Sequence, residues 1–97
     1  MSIEYHLIIN NSLLDYVFKE IKSSFEDSDL YCIKHVSDSA ISFSINGSSS
    51  DWGADFEITK TDKELFIKIH SGNYKKILLV IENLLINNDI IFELEEE

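Results

Sequence analysis

The stretch from Ala40 to His70, AISFSINGSSSDWGADFEITKTDKELFIKIH, constrains the fold more than any other, because it alternates apolar and polar residues through three runs. Ile41, Phe43 and Ile45 share one parity, followed by Phe56 and Ile58, then by Leu65, Ile67 and Ile69. Side chains along a strand point alternately to opposite faces, so Ser42, Ser44, Asp55, Glu57, Thr59, Lys68 and His70 are expected on the other side. The pattern predicts an antiparallel meander with one buried face and one wet, mostly acidic face.

Each flank reads as a strand, a helix and a strand. Ser2 to Ile9 places Ile3, Tyr5, Leu7 and Ile9 on one face, and Asn10-Asn11 breaks the run. Ser12 and Asp15, three residues apart, resemble a capping box. Leu14, Val17, Phe18, Ile21 and Phe25 follow at helical spacing, opposite Lys19, Glu20 and Lys22. The helix runs out into Glu26-Asp27-Ser28-Asp29, whose charges oppose the macrodipole at that end. Leu30 to Val36 has apolar residues of both parities and is expected in the centre of the sheet. After the meander, Tyr74, Ile77, Leu78, Ile81, Leu84 and Leu85 form a second helical stripe, closed by a left-handed cap at Asn87-Asn88. Ile90, Phe92 and Leu94 suggest a final strand, and Glu95 to Glu97 a frayed tail.

The order β-α-β-β-β-β-α-β over residues 1–97 predicts one α+β domain. Two amphipathic helices need a common sheet face, so the expected architecture is a two-layer, mostly antiparallel sheet of about six strands with both helices on one side.

Charge narrows the classes of partner. Eighteen Asp and Glu face eight Lys, Arg is absent, and the formal net charge is −10. Nucleic acid and anionic membranes both repel such a chain, whereas a cationic protein is its natural counterpart. Cys32 is the single cysteine, so no intrachain disulfide can form. The N-terminal residues lack a basic segment followed by a long apolar run, and a cytoplasmic location is expected.

Spacing argues against catalysis. His6, His35 and His70 belong to no HxH or HExxH pattern, and neither metal nor cofactor is expected. Cys32 and His35, three apart on a strand, point to opposite faces and make no nucleophile–base pair. Ser48, Ser49 and Ser50 lack the GxSxG context of an activated serine. The binding candidates are instead Asp51 and Trp52 in the polar 46–54 loop, Asp55 and Glu57 on the expected open face, and Glu26, Asp27 and Asp29 as a second patch. Trp52 is either a hot-spot side chain or a cap on the core. Asp55 and Glu57 are expected to be exposed.

In size, acidity, cysteine poverty and α+β pattern, the chain resembles the small acidic immunity proteins of bacterial toxin–immunity systems, including contact-dependent growth inhibition. That resemblance implies a cytosolic inhibitor binding a cognate cationic toxin, often a nuclease, one to one. The alternative is an adaptor subunit that self-associates or assembles through its open sheet face.

Overall fold

The computed structural model describes residues 3–45, 55–70 and 74–97. Its strands are β1 (Ile3–Ile8), β2 (Tyr31–Val36), β3 (Ala40–Ile45), β4 (Phe56–Lys60), β5 (Leu65–Ile69) and β6 (Glu93–Glu96). The helices are α1 (Leu14–Glu26) and α2 (Tyr74–Asn87). The strands form one sheet in the order β2-β3-β4-β5-β1-β6, and every neighbouring pair is antiparallel. This is the expected α+β arrangement.

Both helices and the inward parity of the strands meet in a single core. Leu7, Ile41, Phe43, Phe56, Ile58, Leu65, Ile67 and Ile69 are buried, as are Leu14, Val17, Phe18, Ile21 and Phe25 of α1 and Ile77, Leu78, Ile81 and Leu85 of α2. Each large side chain removed from water contributes about 1.5–3 kcal/mol before chain entropy is set against it. Phe25 reaches down from α1 to Tyr31, Phe43 and Phe56, with ring centroids 4.9, 5.3 and 4.8 Å away. Phe43 and Phe56, directly opposed in register, stack at 20°.

The helix ends differ in detail from the expected caps. Asn10, not Ser12, starts the first helical segment: its side-chain oxygen accepts from the Ser12 backbone N–H at 3.0 Å and leads into a 3-10 turn over Asn11–Leu13. Asp15 is left to pair with Lys60 at the end of β4. At the end of α2 the left-handed residue is Asp89, φ 56°, one beyond the expected pair. Asn88 donates its side-chain amide to the Leu84 carbonyl, and the Ile90 N–H closes on Leu85, so the last carbonyls are satisfied.

Two strands lie elsewhere than expected. β2 is an edge strand, not a central one. The register against β3 shifts between Ile33 and His35, which bulges Lys34 out and reverses the parity of the residues after it. Val36 therefore opposes Ile41 on the same face as Ile33, and Cys32 and His35, opposite Ser44 and Ser42, share the other face instead of pointing apart as expected. The acidic C-terminus is no frayed tail. Glu93–Glu96 is β6, paired with β1, and the Glu97 N–H donates to the Glu4 carbonyl. Ile90 to Phe92 precedes that strand rather than forming it.

Candidate protein-binding surface

The face of the sheet away from the helices carries the charge. Register brings Glu4, Glu64, Glu93, Glu95 and Glu97 together on or at the ends of β5, β1 and β6, because His6 opposes Phe66 on one side and Glu95 on the other, while Ile8 opposes Glu93. Lys68 lies between Glu4 and Glu57 on adjacent strands, and its ammonium is 3.7 Å from Glu4. Further across, β3 and β4 offer the smaller groups Ser42 and Thr59 beside Glu57. One half of this face is thus dense in carboxylate and the other close to neutral.

His6 sits at the centre of the acidic half. Its Nδ1 lies 2.6 Å from Glu64 Oε1, its Nε2 is 3.8 Å from Glu97, and its ring meets Phe66 edge-on at 5.1 Å. The hydrogen bond to Glu64 raises the imidazole's pKa above its ordinary value, helped by the nearby charges of Glu64, Glu97 and Glu95 and opposed by partial desolvation. The protonated ring would tie three strands together across the face. Between Asp15 and Lys60, on the helix side, the hydrogen bond and charge of the lysine hold the carboxyl below its usual range.

Of the candidate residues, Asp51 and Trp52 lie outside the described residues. Glu57 is on the open face, half-buried in the row Ser42–Glu57–Lys68. Asp55 is not exposed. It is 5% accessible, and its carboxylate accepts the Ile45 N–H at 2.6 Å. Its backbone bonds to Phe43 on one side and His70 on the other. A buried carboxylate that pins the end of β3 through the Ile45 N–H is not an open docking group. Glu26, Asp27 and Asp29 are exposed at the turn from α1 into β2, as expected. They are far from the open face in the fold, since that turn borders a groove between the two helices.

Sequence reasoning passed over the carboxylates of β1, β5 and β6. The parity that buries Tyr5 and Leu7 already turns Glu4 and His6 outward. The contribution of Glu93, Glu95 and Glu97 depends on β6 pairing with β1, at the far end of the chain, and no local pattern encodes that. Among the described residues no group of three or more His, Cys, Asp or Glu could hold a metal ion, and no helix is long and apolar enough to cross a membrane. The chain matches no family model, and no curated protein or solved structure resembles it at a significant level.

Proposed function

We propose that this chain is an immunity protein: a cytoplasmic inhibitor that binds a cognate basic toxin domain and covers its active site. One observation carries the reading. Five carboxylates stand along three adjacent strands of an uncovered sheet face, held there by a backbone ladder. A nuclease presents lysine, arginine or histidine to hold phosphate. Carboxylates spaced along strands about 4.8 Å apart can meet those groups and exclude the nucleic acid. The same field steers encounter, raising association rates to as much as ~10⁸–10⁹ M⁻¹s⁻¹ at low salt. No chemistry is asked of the inhibitor, only persistence of the surface.

The test is kinetic. The cognate toxin domain is titrated with wild type and with a Glu95→Lys/Glu97→Lys variant at several ionic strengths. Association at low salt should slow by about tenfold or more and lose most of its salt dependence. Unchanged rates and an unchanged salt slope would remove the acidic face from the interface.

A further inference from the structure

The helix side of the molecule has a second surface with a different chemistry. A groove of about 350 Å³ opens between the end of α1, the start of β2 and the first half of α2. Its floor includes Phe25 and Tyr31, and its rims carry Leu30, Leu79 and Val80, of which Leu30 and Leu79 are 64% and 55% exposed. Because Leu30, Leu79 and Val80 line one groove, their exposure forms a patch rather than isolated surface scatter. The two walls differ in sign. On the α1–β2 wall, exposed Glu26, Asp27 and Asp29 interleave with the lining residues Phe25, Ser28 and Leu30; on the α2 wall, Lys76 lines the groove and Lys75 is exposed beside it. The acidic wall has a defined shape: the Asp27 N–H bonds the Ser23 carbonyl and the Ser28 hydroxyl accepts the Leu30 N–H.

An apolar strip flanked by opposite charges is self-complementary. Laid face to face by a two-fold axis running along the groove, two copies place the acidic wall of each against the lysine wall of the other. An axis across the groove would instead bring acid to acid, so the charges choose between the two. We infer that this groove is the contact surface of a symmetric homodimer, in which Leu30, Leu79 and Val80 of two copies pack together between Asp27–Lys76 pairs formed twice. Such a dimer is independent of the proposed function, because the carboxylate face lies on the other side of the sheet and stays open in it. A strip of this extent is at the small end of specific interfaces, and each chain carries a net charge of −10. A dissociation constant of roughly 10–100 µM is expected.

Sedimentation equilibrium of the wild-type protein, up to about 0.5 mM so that the expected constant is well exceeded, should give a monomer–dimer equilibrium. Asp27→Lys alone places lysine against lysine at both pairs, and Lys76→Glu alone places acid against acid; each should weaken dimerisation at least about tenfold. Mixed one to one, the two variants regain both attractive pairs, so the mixture should dimerise as wild type does. Both sites are exposed, and circular dichroism serves as the check that the variants are folded. A wild-type monomer at every concentration overturns the inference and leaves the groove to a foreign protein. A dimer that ignores the single changes, or a mixture that stays monomeric, overturns it as well.

Discussion

The two halves of the sheet share one core yet differ in how they pack and in what their outer faces carry. Under β2, β3 and β4 the packing is aromatic: Phe25, Tyr31, Phe43 and Phe56 meet edge-on, tilted and stacked, and the outer face above them carries Ser42, Thr59 and a single carboxylate in register, Glu57. Under β5, β1 and β6 the packing is aliphatic, with Leu7, Leu65, Ile67 and Ile69, and the outer face is crowded with glutamates. The register eases that crowding, setting Lys68 opposite Glu4 and His6 opposite Glu95. Aromatic packing thus lies under one half of the sheet, and carboxylates crowd the outer face of the other.

The largest test of that division is Phe56→Ala. Phe56 is fully buried and touches three aromatic rings. Its truncation should cost about 3–5 kcal/mol, a large part of the roughly 5–10 kcal/mol expected for a domain of this size. Urea unfolding would measure it. A loss no greater than that from an outward residue would mean that the aromatic half is not where stability resides.

Next in size is Asp55→Ala. Removing the buried carboxylate leaves the half-buried Ile45 N–H without this partner, a penalty of about 1 kcal/mol and no more than about 3. Loss of stability with association to a toxin partner left intact would confirm that Asp55 belongs to the scaffold. Slower association at unchanged stability would return it to the interface. Smaller still is Glu93→Lys on the exposed edge, which should change stability by no more than about 0.5 kcal/mol in either direction. A loss above roughly 1 kcal/mol there would show that the acidic half contributes to the fold in a way that its exposure hides.

Much of this architecture is legible in local pattern, and the failures have a common origin. The stripe Leu14, Val17, Phe18, Ile21 and Phe25 and the inward parity of the meander both name buried residues, because helical and strand periods are properties of a few consecutive positions. Strand neighbours are not. β2 reads as central because one bulged residue, Lys34, disguises an ordinary edge as a strand apolar on both sides. Glu93 to Glu96 reads as a tail because nothing near it says that β1 waits to pair with it. Asp55 shares its parity with Glu57, but alternation cannot tell that its carboxylate bends back to a backbone N–H. Leu79 and Val80 fall outside the apolar stripe of α2, and only the position of the α1–β2 turn makes a groove of them.

The smallest effect, and the one that reads the acidic half most directly, comes from His6. Its pKa is raised in the folded protein, chiefly by the hydrogen bond to Glu64, so folding favours the protonated ring. A group shifted upward contributes stability that is fully present below its unfolded value of about 6.5 and disappears as pH rises through the higher folded value. His6→Gln should therefore be less stable than wild type at about pH 5.5–6.5 and equal to it well above neutrality. Denaturation midpoints of the two proteins across that range give the comparison. The pairing of His6 with Glu64 is open to solvent, so added salt should shrink the difference at acid pH as well. A gap that persists at alkaline pH would assign His6 a packing role against Phe66. A gap that grows with pH would reverse the sign of its coupling to Glu64, and with it the view that the protonated ring ties Glu64 and Glu97 across β1.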